Sequence, residues 1–176
     1  MTLSAWQIGI VAALVGILTQ GCAGVPIVYN HVQYHDRWPE LIDWHADDPF
    51  QILVWGNPFD STQAAVDAAV AESMSRRAHR TLLVHSDGVV PDEPFFPAVF
   101  DAAVRPTAYE CIDIRPVELV PAAPGTVKVR MAVCRGGGAL TRVEGTVGSV
   151  DSPDDPTFLS LIEQMAERLY RGPPTP

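Results

Sequence analysis

Three adjacent residues, His85, Ser86 and Asp87, carry the side chains of a nucleophilic triad. A triad is assembled from positions that converge in space, whereas neighbouring side chains at the end of a strand diverge. The glycine run at 136–138 lacks the strand, loop and helix order of a phosphate-binding loop, and a hairpin turn explains it better. We therefore expect no catalytic residue, no cofactor and no enzyme activity.

Metal binding is the second chemistry that the side chains suggest. His31 and His35 are four residues apart, so they would share one face of a helix, and His45 follows in the same stretch. Recognisable metal sites repeat a third and a fourth ligand at a defined spacing, and no such spacing recurs here. We predict no metal site.

Cys111 and Cys134 form the pair for which we predict a disulfide. Strands predicted at 109–120 and 126–134 bring apolar side chains opposite each other only if a β-bulge shifts their register, and that shift brings Cys111 opposite Cys134. Directly opposed residues lie within the Cα separation that a disulfide bridges. The alternative is a pair of reduced thiols packed as small apolar groups.

The N-terminus carries the strongest signal of organisation. Its first 21 residues contain no charged side chain, and Ile8–Leu18 is a continuous run of apolar residues and glycines with the length of a signal-peptide core. Because Gly21 and Cys22 follow closely, the segment resembles a bacterial lipoprotein precursor. The resemblance implies that 1–21 is a signal peptide and that Cys22 is lipidated. The mature protein would be membrane-anchored and extracytoplasmic, on the periplasmic side of the inner or outer membrane.

Two departures from the lipoprotein pattern leave other readings open. Thr19 stands where a branched apolar residue is usual, and residues 1–7 contain no Lys or Arg. A hydrophobic segment extended through Val28 could instead form an uncleaved N-terminal transmembrane helix in a membrane complex. The third reading is a core helix of a cytosolic protein, which the absence of a polar face disfavours.

Residues 22–49 read as a tether that is rich in aromatic side chains. Tyr and Trp suit membrane–water boundaries and protein interfaces, because each ring has an apolar body and a polar group. We therefore predict that the tether docks a partner, most simply another envelope or membrane protein, through four residues: Tyr29, Tyr34, Trp38 and Trp44. The alternative is that these rings cap the core of the domain.

The charge balance argues against a nucleic-acid partner. The formal net charge is −9, and nucleic-acid binding depends on clustered Lys and Arg. The longest basic grouping, 76–80, falls where a helix is expected to end, and cations there compensate the helix dipole.

Residues 50–172 are predicted to form one α+β domain. Its expected architecture is a mostly antiparallel sheet of about five strands with two helices on one face. The predicted strands are 50–55, 81–85, 109–120, 126–134 and 140–150, and the predicted helices are one that Asp60 caps and Pro156–Arg171, which Asp155 caps. A proline-rich excursion over 88–107 is expected to contain a short helix at Pro97–Val104.

A turn between the first strand and the first helix carries a second resemblance. At Gly56-Asn57-Pro58-Phe59 the chain resembles small, functionally uncharacterised proteobacterial lipoproteins, and the resemblance continues at 134–136 and 152–158. These motifs are turns and helix starts, so they support a fold and carry no chemistry. The expected function is that of a non-catalytic interaction module or accessory subunit of a membrane complex. The competing function is binding of a small apolar ligand or lipid between sheet and helices.

Overall fold

The computed structural model describes residues 24–32, 49–78, 81–92, 94–102, 109–115 and 117–171. Within these ranges it contains six strands, two α-helices and a short 3-10 helix. The strands are β1 (Ile27–Val32), β2 (Phe50–Trp55), β3 (Leu82–His85), β4 (Phe95–Phe100), β5 (Thr126–Arg135) and β6 (Gly138–Gly148). The helices are α1 (Gln63–Ala78) and α2 (Pro156–Arg171), and the 3-10 helix is Tyr109–Cys111.

The strands form one mixed sheet in the order β1-β6-β5-β4-β2-β3. The pairs β1–β6, β6–β5 and β5–β4 are antiparallel, whereas β4–β2 and β2–β3 are parallel. The α+β class is therefore confirmed, and the prediction of a mostly antiparallel sheet is corrected to a mixed sheet. The reason is that α1 returns the chain from β2 to β3 in the same direction, as a helical crossover does.

Strand β4 occupies the position where a short helix was predicted. All six residues of Phe95–Phe100 are buried, and a short continuous apolar run is typical of a strand that is covered on both faces. The β4–β5 ladder pairs Phe95 with Cys134 and resumes where Ala98 faces Met131. The proline between them, Pro97, therefore sits inside a central strand, so the predicted Pro97–Val104 helix is wrong over the strand residues.

Strand β1 lies inside the segment 22–49 that we predict as a tether. Its residues pair with β6 from Ile27 opposite Thr146 to Val32 opposite Thr141. This part of the segment therefore belongs to the sheet and forms one of its edges.

The predicted strand over 109–120 is also wrong. Its described residues begin with the 3-10 helix Tyr109–Cys111 and continue as irregular chain with one isolated bridge, between Ala102 and Leu119. Cys111, Ile114 and Val117 are buried in one cluster on the sheet. Their spacing of three residues is that of turns and helices rather than the two-residue period of a strand. We call residues 109–120 the cover segment.

Both helices pack on the face of the sheet opposite the cover segment. The apolar stripe of α2 is completely buried, and it consists of Phe158, Leu161, Ile162, Met165 and Leu169. Asp155 caps this helix as predicted, since its Oδ1 accepts a 2.7 Å hydrogen bond from the Thr157 amide. The cap of α1 is Thr62 rather than Asp60, because Thr62 Oγ1 accepts from the Ala65 amide.

The hairpin between β5 and β6 explains the glycine run. Gly136 and Gly137 both have positive φ angles, 64° and 70°, which a two-residue hairpin turn of this hand requires. The side chains of β5 alternate between the two faces of the sheet: Val129 and Met131 face the helices, whereas Ala132 and Cys134 face the cover segment.

Candidate functional site

The predicted disulfide is present between Cys111 and Cys134, whose Cα atoms lie 5.3 Å apart. Both residues are buried, at 3% and 0% exposure. Cys134 sits in β5 as predicted, but Cys111 belongs to the 3-10 helix that lies over the sheet. The disulfide therefore joins the cover segment to the sheet, instead of joining two neighbouring strands.

A second link joins the cover segment to the sheet close to the disulfide. The Arg142 guanidinium on β6 donates to the carboxylate of Glu110, a residue that is only 2% exposed. A further ion pair spans β5 and β6, where Arg130 Nε lies 3.0 Å from Glu144 Oε1. Burial raises the pKa of Glu110 above its ordinary value, and the hydrogen bond and charge of Arg142 offset this only in part.

The sheet face beside the cover segment is more open and more polar. The register places Tyr29 beside Glu144 and Arg130, and Ile27 beside Thr146 and Lys128. We call this surface the open half-face; its members are Ile27, Tyr29, Lys128, Arg130, Glu144 and Thr146. It lies on the face of the sheet opposite α1 and α2.

A row of exposed apolar and aromatic side chains runs along strand β1 at the edge of the open half-face. Val25 is 77% exposed, Ile27 53% and Tyr29 61%. The three residues alternate along an extended chain, so they point in the same direction. Single exposed apolar residues are ordinary, whereas a contiguous row next to a polar surface is typical of an interaction site. We call these three residues the edge row.

A cleft of about 340 Å³ opens at one end of the sheet. It lies where the parallel strands β2 and β4 end, a place where open α/β sheets commonly bind ligands. Asn57 and Pro58 line it after β2, and Asp101 lines it after β4. The loop 119–126 and Val150 form the rest of its wall. Sequence reasoning missed this cleft, because it singled out none of the residues that line it as a site.

Asp101 is the buried acidic group of the cleft, with 9% exposure. Its Oδ1 accepts a 3.2 Å hydrogen bond from the Lys128 amide, and its carboxylate also accepts from the Ala122 amide. Its own amide donates to the Lys128 carbonyl, and its carbonyl accepts from the Val120 amide. Burial raises the pKa of Asp101, and these amide hydrogen bonds lower it less.

The histidine, serine and aspartate at 85–87 do not form a triad. His85 ends β3, and its Nε2 is buried without a hydrogen-bond partner. Asp87 Oδ1 accepts a 2.9 Å hydrogen bond from the Val89 amide, which is a turn contact. Trp55 Nε1 on neighbouring β2 is likewise buried and unpartnered.

Several predicted site residues lie outside the described residues: Cys22, Tyr34, His35, Trp38, Trp44 and His45. Of the four predicted docking residues, the structure therefore places only Tyr29, on β1. His31 lies on the same strand. Within the described ranges, no group of three metal-ligating side chains comes together, and no helix is both long and apolar enough to span a bilayer.

No protein-family model matches the sequence, and no curated protein matches it. Among the solved structures that resemble the fold are two of PelC from Paraburkholderia phytofirmans. The PelC dodecamer is 10% identical at a TM-score of 0.45, with 82% of this chain and 98% of that chain covered. A substituted form of the dodecamer is 8% identical at a TM-score of 0.41, with 82% and 94% covered. At these values the likeness carries no argument about the function of this chain.

Proposed function

We propose that this chain is a membrane-anchored, extracytoplasmic accessory protein that acts by binding another envelope or membrane protein, without catalysis. In this proposal Cys22 is lipidated after removal of 1–21, and the docking surface is the edge row together with the open half-face. Tyr34, Trp38 and Trp44, which lie outside the described residues, are proposed to contact the same partner.

The observation that carries the proposal is the position of the edge row. Ile27 follows Cys22 by five residues, which at full extension is at most about 18 Å of chain. A lipid on Cys22 would therefore hold β1 close to the bilayer. The row is exposed on an edge strand, and such a strand offers unpaired backbone groups as well as side chains to a partner.

The disulfide supports the proposed compartment. Disulfides persist in oxidising compartments such as the periplasm and are rare in the cytosol. Cys111 and Cys134 are both buried, so the bond is shielded from reductants. An oxidising location and an N-terminal export signal are consistent with each other.

The docking surface is tested by purification from native membranes in mild detergent. We expect the wild-type chain to retain a defined partner in fixed stoichiometry and an Ile27→Asp, Tyr29→Asp variant to lose it. Leu83→Asp is the matched control, because Leu83 is 49% exposed on β3, at the opposite edge of the same sheet. Equal recovery of the partner with all three proteins would contradict the proposed surface.

The anchor is tested separately by intact-mass analysis of the membrane-extracted chain. We expect loss of Met1–Gly21 and addition of acyl mass at Cys22, and Cys22→Ala should release or mislocalise the domain. A mature N-terminus at Met1 would refute the lipoprotein and favour the alternative of an uncleaved transmembrane helix.

Binding of a small ligand is the second candidate function, and the cleft favours it. Its volume of about 340 Å³ is within the range of small-molecule sites. The cleft lies at the end of the sheet, whereas the expected location was the space between sheet and helices. That space is lined by closely packed side chains: Val66, Met74, Leu161 and Met165 are each fully buried.

A further inference from the structure

We propose that the cleft at the ends of β2 and β4 binds a small organic primary ammonium ion, with the Asp101 carboxylate as its acceptor. This inference does not depend on the anchor or on the edge row. It follows from the shape of the cleft, the chemistry of its one buried acid and the backbone around it.

Among the described residues, the Asp101 carboxylate in the wall of the cleft forms no ion pair with a cationic side chain. Its carboxylate accepts hydrogen bonds from two backbone amides, those of Lys128 and Ala122. The charge of Lys128 acts on it least among the favourable contacts, and Lys128 is itself exposed. A carboxylate can accept about four hydrogen bonds, so two amides leave capacity for a further donor.

Backbone strain is concentrated around the cleft. Asp101 and Ser149 are the non-glycine residues with positive φ in the described ranges, at 49° and 59°. Asp101 lines the cleft, and Ser149 directly precedes Val150, which also lines it. Residues held in sparsely populated backbone conformations cluster at ligand sites, where the surrounding structure fixes them.

The other residues of the wall favour a ligand with an apolar carbon skeleton and disfavour an anionic ligand. Pro58, Phe100, Leu119 and Val150 give the cleft apolar sides, which suit the carbon skeleton of a small amine. The Asn57 side chain is occupied, since it donates to the Ser61 carbonyl and accepts from the Phe59 amide. With Asp101 as its acid and no cationic side chain among its lining residues, the cleft disfavours anions.

The number of donors separates primary from quaternary ammonium. A primary ammonium carries three N–H donors and forms a charge-assisted hydrogen bond to a carboxylate. Tetramethylammonium carries the same charge but has no donor. The carboxylate of Asp101 therefore selects the primary ammonium.

The test is isothermal titration calorimetry on the full-length chain in dodecylmaltoside micelles, with ethylammonium chloride against tetramethylammonium chloride at equal ionic strength. We expect saturable binding of ethylammonium that Asp101→Asn weakens by at least about tenfold, because the charge-assisted hydrogen bond is lost. Asp151→Asn is the control, because Asp151 is an exposed residue whose carboxylate lies near Gly125. This substitution should change the affinity for ethylammonium by less than about twofold.

A second variant keeps the test decisive if Asp101→Asn fails to fold, which circular dichroism would show. Ala122→Phe fills the cleft and leaves Asp101 in place, so it should abolish the binding by steric exclusion. Absence of saturable ethylammonium binding to the wild-type chain would overturn the proposal. So would equal affinity for tetramethylammonium, or binding that survives in Ala122→Phe.

Competition with lipids distinguishes two sources of the ammonium group, a lipid headgroup and a free amine. If the natural ligand is a lipid headgroup, micelles doped with phosphatidylethanolamine should suppress ethylammonium binding, whereas phosphatidylcholine should not. If the ligand is a free amine, neither lipid should compete. Suppression by both lipids alike would contradict selection for the primary ammonium.

Discussion

The two faces of the sheet are covered by different kinds of structure and are held by different forces. On one face, two helices bury a continuous apolar cluster that runs from Phe50 to Leu169. On the other face, the irregular cover segment buries a smaller cluster around Cys111 and Cys134. Apolar packing accounts for the first face, whereas a disulfide and the Glu110–Arg142 ion pair supplement packing on the second.

A short irregular segment needs added links to stay on the sheet, whereas a helix with a buried apolar stripe does not. The cover segment contributes few large apolar side chains, chiefly Ile114 and Val117. The β pairing of its described residues is limited to one isolated bridge, between Ala102 and Leu119. Ordering each residue costs about 1–2 kcal/mol of conformational entropy. A covalent link reduces that cost because it restricts the unfolded chain.

The largest expected effect is on the helix-covered face. Leu161→Ala removes a fully buried side chain and should lower the free energy of unfolding by about 2–5 kcal/mol. Arg168→Ala on the exposed side of α2 is the matched control and should change it by less than about 0.5 kcal/mol. Chemical denaturation measures both, and a greater loss for Arg168→Ala would contradict the assignment of the buried face.

The next effect concerns the disulfide. Replacing Cys111 and Cys134 together by Ala should cost about 3 kcal/mol, given a sequence separation of 23 residues and the chain-entropy relation. The loss of stability should be greatest in the cover segment. Hydrogen exchange should therefore speed up first at the amides of that segment. Earlier or equal acceleration in α2 would show that the bond supports the whole fold rather than one face.

The same two faces differ in how far the sequence predicts them. The α2 prediction is confirmed to its boundaries, Pro156–Arg171, because a capping aspartate, a proline at the first position and a helical stripe all agree. The disulfide was also predicted correctly, but from a strand pairing that does not exist. The buried residues Cys111, Ile114 and Val117 recur every three positions, and that spacing was the available signal against a strand.

Local signals fail where tertiary context decides the outcome. Phe95–Phe100 is a buried strand in spite of Pro97, because β2 and β5 cover its two edges and the apolar run is buried throughout. Strand β1 is stabilised by pairing with β6, which is more than 100 residues distant in the chain. The cleft is assembled from four separate stretches of the chain, so no local sequence motif indicates it.

A smaller effect is expected at the junction of the two helices. Glu163 belongs to α2, and its carboxylate lies 3.1 Å from both Arg76 and Arg77 of α1. Glu163→Ala should therefore cost about 0.5–1 kcal/mol, as partly exposed ion pairs do. The difference from wild type should shrink in 1 M salt, because screening weakens exposed pairs. A loss that is independent of salt would assign the effect to packing.

The smallest expected change in stability is that of Glu110→Gln on the cover side. The raised pKa of Glu110 means that the folded state favours its protonated form more than the unfolded state does. Glutamine resembles that neutral form and keeps a side-chain oxygen that can accept from Arg142, so the free energy of unfolding at neutral pH should change by only about 1 kcal/mol. Glu110→Ala should lose more, because it also removes the side chain that Arg142 contacts.

The pH dependence gives this last prediction its sign. Between the ordinary pKa of Glu110, 4.5, and its higher value in the fold, the folded state binds more protons than the unfolded state. Its contribution to stability is therefore complete below pH 4.5 and is lost as the pH rises through the folded value. Urea denaturation across this window should show a downward slope with rising pH that is shallower in Glu110→Gln. Identical slopes would contradict a raised pKa of Glu110, because they would show that the charge and hydrogen bond of Arg142 fully offset the cost of burial.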